Sequence, residues 1–151
     1  MIRKGSSADV PFMRSMLAHA YAWRVNALEA DIPLTRYVDN WGRDGDVAII
    51  AHETGNRVGA ARLRLFPATE PGYGFVDEQT PELSVAVVPS RRRHGLGQEL
   101  MDGLLEAARV AGHSAVSLSV EADSPAVAFY ERNGFEHVRD ADGGVVMLKR
   151  L

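Results

Sequence analysis

The stretch from Glu82 to Val120 constrains this chain more than any other part of it. Leu83, Val85 and Val87 alternate with Glu82, Ser84 and Ala86, the two-residue period of a strand with unlike faces. Pro89 and Ser90 end that strand, because proline has no amide to give a ladder. Leu96, Leu100, Leu104 and Ala108 then recur every four residues, with Gln98, Glu99, Asp102 and Glu106 between them, the spacing of an amphipathic helix. Gly112 is a stop signal for that helix. Beyond it, Val116, Leu118 and Val120 alternate with Ser117 and Ser119 in a second strand. A strand, a helix and a strand in this order form a crossover, which makes the two strands parallel neighbours in one sheet.

The join between the first strand and the helix carries chemistry. It reads Arg91-Arg92-Arg93-His94-Gly95-Leu96-Gly97-Gln98. Gly95 and Gly97 lack Cβ atoms, so the backbone there turns tightly and approaches a ligand closely. The amides of a first helical turn have no partner within the helix and favour an anion, and three arginines add positive charge. These features fit a pyrophosphate; on the turn alone, an ordinary strand-to-helix loop fits as well. Position 100 is leucine, so the third glycine of a dinucleotide fingerprint is missing, and no glycine-lysine-serine/threonine run marks a P-loop.

Composition narrows the remaining classes. The formal net charge is −3 and the one basic run is local, which argues against general nucleic-acid binding. Cysteine is absent, which excludes a disulfide framework, a cysteine-zinc site and a cysteine nucleophile. The five histidines show no His-x-x-x-His spacing, and no metal is expected. A chain of 151 residues suits a single domain over 1–151, and 46% hydrophobic residues suffice for its core. Met1-Ile2-Arg3-Lys4 is followed by Gly5, Ser6 and Ser7 rather than an apolar run, and no window reaches the roughly 18 apolar residues of a membrane span. A cytoplasmic protein away from membranes is the expectation.

The rest of the chain reads as alternating elements. Ile2–Gly5 suits a short strand, followed by a helix capped by Ser7 or Asp9, with Pro11 in its first turn and Phe12, Met16, Leu17, Ala20 and Tyr21 on its apolar face. A second helix is expected through Leu34, Tyr37 and Val38. Tyr21, Trp23, Arg24, Tyr37 and Trp41 make this region aromatic-rich, either as packing or as a substrate wall. Val47–His52 and Val58–Phe66 read as a hairpin about Glu53-Thr54-Gly55-Asn56. Residues 67–81 form a long irregular segment with two acids, Asp77 and Glu78. After Val120, Ser124 and Pro125 suit the start of a short helix that ends at Asn133-Gly134, and Phe135–Val138 and Val145–Lys149 are the last two strands.

A second motif adds to the glycine turn. Arg92-x-x-Gly95-x-Gly97 after a strand, and Asp123-Ser-Pro-Ala-Val-Ala-Phe-Tyr130-Glu-Arg-Asn-Gly134-Phe135 about 30 residues later, together resemble the GCN5-related N-acetyltransferase superfamily. Its signatures are Gln/Arg-x-x-Gly-x-Gly/Ala and Asn-x-x-Ala-x-x-Leu/Phe-Tyr-x-x-x-Gly-Phe. The resemblance covers Glu82 to Phe135; the first 80 residues match in element order alone.

The resemblance implies an α/β (α+β) fold with a mixed, mostly antiparallel central sheet of about six or seven strands, helices on both faces and a splayed parallel pair at the cofactor site. It implies acetyl transfer from acetyl-CoA to a primary amine. Pyrophosphate binding would fall to Arg92, Arg93, His94, Gly95, Leu96, Gly97 and Gln98, with Arg91 or Arg93 at the adenosine phosphate. Pantetheine would pair with the main chain of Val85, Ala86 and Val87, with an N–H near Val87 turned to the thioester oxygen. Asp123 stands where asparagine is common; a carboxylate accepts a hydrogen bond from pantetheine but donates none. Tyr130 would protonate the departing thiolate, and Glu82 is the candidate base. Asp77, Glu78 and Glu82 together would favour a cationic amine, and Trp23, Tyr37, Trp41 and Phe75 would wall it. A homodimer is common among such proteins. Two other readings remain: a non-catalytic acyl-CoA-binding or sensing module, and an acyltransferase using another acyl-CoA.

Overall fold

Seven strands join in one sheet in the order β1-β2-β3-β4-β5-β7-β6. The computed structural model describes residues 1–20, 34–91, 95–141 and 143–151. The strands are β1 (Ile2–Lys4), β2 (Val47–Glu53), β3 (Asn56–Arg64), β4 (Glu82–Val87), β5 (Ala115–Glu121), β6 (Glu136–Ala141) and β7 (Gly144–Arg150). The helices among the described residues are α1 (Val10–Ala20), α2 (Leu96–Val110) and α3 (Ala126–Arg132), with one-turn 3-10 segments at Ser7–Asp9, Leu34–Tyr37 and Pro89–Arg91. All neighbouring strands are antiparallel except β4 and β5, the pair joined through α2. The sheet therefore has the mixed, mostly antiparallel form expected from the sequence. Among the described residues no helix is long and apolar enough to cross a membrane.

Each face of the sheet has its own core. On one face Leu100, Met101 and Leu104 of α2 are wholly buried against Leu63, Leu83, Val116 and Leu118, joined by Tyr130 and Phe135. On the other face Met13, Met16 and Leu17 of α1 pack with Tyr37, Val38, Ala48, Ile50 and Phe66. Burying one such leucine contributes about 1.5–3 kcal/mol. The alternation along β4 thus divides it: Leu83, Val85 and Val87 turn to α2, and Ala86 turns to α1.

Several boundaries differ from the sequence reading. Neither Ser7 nor Asp9 is the first cap. Ser6 is, and the Asp9 carboxylate reaches back to accept its amide at 2.9 Å. On α1 Met13 is buried and Phe12 half-buried, while Tyr21, Trp23 and Arg24 lie outside the described residues. The segment near Tyr37 is one 3-10 turn, not a longer helix. β3 starts at Asn56 rather than Val58. Thr54 (φ 49°) and Gly55 (φ 81°) make a two-residue turn that pairs Asn56 with Glu53. β3 also stops at Arg64 rather than Phe66. Pro125, not Ser124, caps α3, with the Ala126 amide donating to Ser124 Oγ at 3.1 Å.

Candidate active site

β4 and β5 meet at one register pair, Glu82 opposite Ser117, with the Ser117 amide donating to the Pro81 carbonyl at 3.0 Å. Above that point no further ladder joins them among the described residues, although β4 stays paired with β3 as far as Val87 opposite Gly59. The strands part, and a cavity of about 570 Å³ opens between them. Its walls include Leu83, Ser84, Val85, Ala86 and Val87 from β4, Ser119, Val120 and Glu121 from β5, and Phe129 and Tyr130 from α3. That volume is in the range of small-molecule sites.

One end of the cavity lies at the start of α2. Gly95 takes φ 80°, a left-handed conformation that glycine adopts without strain, and so turns the chain into the helix. The Glu99 N–H donates to the Gly95 carbonyl at 3.2 Å, opening the helical ladder, so the amides of Leu96, Gly97 and Gln98 precede it. Gly97 lines the cavity, and a Cβ there would stand 3.8 Å from the Phe129 ring with space around it. A turn of amides with the positive end of a 15-residue helix behind it suits an anion such as pyrophosphate. Leu96 contributes backbone alone, since its side chain is buried in the core. Gln98 is exposed and its side chain is engaged elsewhere, donating to Asp102 at 2.8 Å and to Asn133 at 2.7 Å. Arg91 lines the cavity while its Nε pairs with Glu53 at 2.7 Å. Arg92, Arg93 and His94 lie outside the described residues.

Tyr130 is fixed by the end of its own helix. Gly134 (φ 91°) lets the chain reverse, Phe135 N–H donates to the Tyr130 carbonyl at 3.0 Å, and Gly134 N–H donates to the Glu131 carbonyl at 3.0 Å. This is a Schellman end, in which the residues at its two ends touch. Here they are Tyr130 and Phe135, edge to face with ring centres 5.7 Å apart. The Tyr-x-x-x-Gly-Phe spacing therefore has a physical cause. Burial pushes the Tyr130 phenol up to about 12, so at neutral pH it is a protonated donor on the cavity wall.

Two expected contacts are placed differently. Asp123 is exposed and is absent from the cavity wall, where Ser124 and Pro125 stand instead. Glu82, the candidate base, is wholly buried. It accepts the Tyr37 hydroxyl on Oε2 at 2.6 Å and the Gly74 amide on Oε1 at 2.9 Å. Asp77 and Glu78 hold their own loop: Asp77 accepts from Gln79 N–H and Thr80 Oγ, and Glu78 from Ala68 N–H. His19 and Glu121, which no sequence motif marks, also line the cavity. The position of Glu121 at the end of β5 is the one signal that could have found it.

A family model described as the acetyltransferase (GNAT) family matches residues 11–135, which include the glycine turn, the parted strands and Tyr130. The chain belongs to this family. No curated protein matches it. Among solved structures similar to this chain, the ribosomal-protein-alanine N-acetyltransferase from Brucella melitensis is 28% identical with a TM-score of 0.73, covering 100% of this chain and 99% of that one. The ribosomal-protein-S18-alanine N-acetyltransferase from Escherichia coli is 20% identical, TM-score 0.71, covering 99% of this chain and 92% of that one. The PaiA N-acetyltransferase from Thermoplasma acidophilum, in complex with coenzyme A, is 16% identical, TM-score 0.68, covering 100% and 98%. The last two are alike in fold. The GNAT fold is thereby assigned, with the parallel β4–β5 pair where the sequence reading put it.

Proposed function

We propose that this GNAT protein transfers the acetyl group of acetyl-CoA to a primary amine. The observation that carries the reading is the cavity between the parted strands, with the α2 amides at one end and a neutral Tyr130 on its wall. In this reading the amides of Leu96, Gly97 and Gln98 hold the pyrophosphate, and the main chain of Val85, Ala86 and Val87 lies along pantetheine. An N–H near Val87 turned to the thioester oxygen stabilises the charge that develops there. The amine nitrogen forms a bond to the acetyl carbon as the carbon–sulfur bond breaks, and the proton that nitrogen loses passes to water, from which Tyr130 is reprotonated after each turnover. Tyr130 gives its proton to the departing sulfur, a thiolate of pKa about 8.5 in model compounds.

The amine has to arrive neutral. A lysine side chain with a pKa of about 10.4 is almost entirely protonated at neutral pH, whereas an α-amino group near 7.7–8.0 is roughly one-tenth neutral. An α-amine is therefore the acceptor that makes least demand on a base. The Brucella and Escherichia relatives are named for alanine of ribosomal proteins, which makes a peptide beginning with alanine the first acceptor to try. Calorimetric titration with acetyl-CoA, followed by thiol release across alanine-starting peptides, free amino acids, polyamines and aminoglycosides, tests the reading. Saturable binding and amine-dependent thiol release are expected. Absence of binding at millimolar acetyl-CoA would end it.

A further inference from the structure

A buried carboxylate at the start of β4 invites a role as base, but its surroundings give it another. Glu82 is 0% exposed, and the cavity wall begins one residue later, at Leu83. Its two oxygens accept from two different segments, Tyr37 Oη at 2.6 Å and Gly74 N–H at 2.9 Å. Tyr37 in turn accepts the Tyr73 amide at 2.7 Å. The loop on Tyr73 and Gly74 is thus gripped at consecutive amides. Arg36 donates to the Pro71 carbonyl at 2.9 Å, and Arg139 of β6 to the Phe75 carbonyl at 3.0 Å, which ties down both flanks.

The grip brings the loop against the backbone of β5. A Cβ on Gly74 would stand 2.6 Å from the Leu118 carbonyl carbon and 2.8 Å from the Ser119 amide nitrogen. A Cβ on Gly72 would collide with the Glu82 carboxylate. The loop backbone therefore crosses β5 at contact distance, at the residue pair where Ser119 lines the cavity, on the side of the sheet where Tyr73 and Phe75 join the α1 core. Two glycines are what such a crossing requires.

We infer that Glu82 is a positioning residue rather than the proton acceptor: with Tyr37 it holds residues 71–75 across β5 behind Ser119, and so fixes the strand wall beside which the amine is seated. This rests on the acetyl-transfer reading above. A base must reach the amine or a water beside it; Glu82 is sealed from solvent and its oxygens are engaged by the loop.

The test compares Glu82→Gln, Tyr37→Phe and Gly74→Ala with wild type. Three quantities are read: acetyl-CoA affinity by calorimetry, turnover and amine KM against pH, and hydrogen exchange of residues 72–75. Expected are a rise in amine KM of about tenfold or more, acetyl-CoA affinity within about twofold, an unchanged acid limb of the turnover profile, and loss of protection at Tyr73 and Gly74. Turnover reduced about a hundredfold or more in Glu82→Gln, with amine KM unchanged and the acid limb gone, would make Glu82 the base and overturn the inference. So would unaltered exchange of the loop in both Glu82→Gln and Tyr37→Phe. Should Glu82→Gln fail to fold, Tyr37→Phe and Gly74→Ala carry the comparison. If wild type binds acetyl-CoA yet acetylates no amine, the functional reading fails by itself, and the exchange data still decide whether Glu82 holds the loop.

Discussion

Glu82 on β4 and Ser117 on β5 face each other at the base of a parallel pair, and above them the two strands diverge. One side chain faces Tyr37 and the loop, while the strands beyond it leave an open cavity. The site is thus a gap in a sheet that continues on both sides, through β3 and through β7.

The helix end beside that gap should be sensitive to charge. Gly97→Glu places a carboxylate where the anion is expected, and the surrounding space admits the side chain. Acetyl-CoA affinity should fall by about 100-fold or more, roughly 3 kcal/mol. Calorimetry measures this, with the circular dichroism spectrum unchanged. Full affinity in the variant would remove the cradle from the site.

Tyr130→Phe keeps the ring packed on Phe135 and removes the proton donor. Turnover should drop by about 10²–10⁴-fold while acetyl-CoA affinity holds. The phenol also makes stability depend on pH. Its folded pKa of about 12 lies above the ordinary value of 10.0. The burial of the neutral form therefore contributes fully below pH 10, and that contribution is lost as pH rises toward 12. Over this window wild type should lose about 2–3 kcal/mol relative to Tyr130→Phe. Denaturant titrations of both proteins at pH 9 and above measure the difference.

Asp9 governs the acid side. Arg3 donates to it twice, at 2.8 and 2.7 Å, Arg57 donates at 2.8 Å, and the Ser6 amide adds a fourth bond. The Arg3 hydrogen bond, chiefly, holds the carboxyl well below the usual range. Because its pKa is depressed in the fold, Asp9 stabilises above the unfolded value near 4 and loses that effect as pH falls below it. Both arginines are partly exposed, which screens the pairs. Asp9→Asn should cost about 2 kcal/mol at pH 7, discounted for the exposed arginines, and progressively less as pH falls from 4 toward 2, as read from denaturant midpoints across that range.

Arg64 and Asp46 form an ion pair that solvent hardly reaches, at 2.7 and 2.9 Å. Arg64 also donates to the carbonyls of Arg36 and Asp39, so it fixes the backbone that presents Tyr37. Arg64→Met leaves Asp46 without its counter-ion, held by the Gly42 and Arg43 amides alone, and should cost about 3 kcal/mol. The double variant with Asp46→Leu should recover part of that loss. A thermal melt of the three proteins decides.

What the sequence disclosed follows from how far each signal reaches. The strands β4 and β5 and the helix α2 rest on local alternation, and Tyr130 with Phe135 on a local helix end, so all were legible. Tyr37 meets Glu82 across 45 residues, and no local pattern foretells such a contact. Glu82 at a strand end, and Arg62 and Arg64 in β3, are charges that read as solvent-facing yet are buried. Only the folded chain brings the ring of Tyr37 under Arg62, at 4.3 Å, and Asp46 to Arg64. The segment 67–81 meets the sheet through its glycines rather than its carboxylates, and no local pattern marks which glycines do so.

The most direct measurement is mass analysis of an alanine-starting peptide incubated with acetyl-CoA and catalytic protein, wild type beside Gly97→Glu. The account predicts one acetyl group gained at the peptide's α-amine over many turnovers with wild type, and next to none with the variant. Saturable acetyl-CoA binding without acetylation of that peptide or any other amine offered would contradict it.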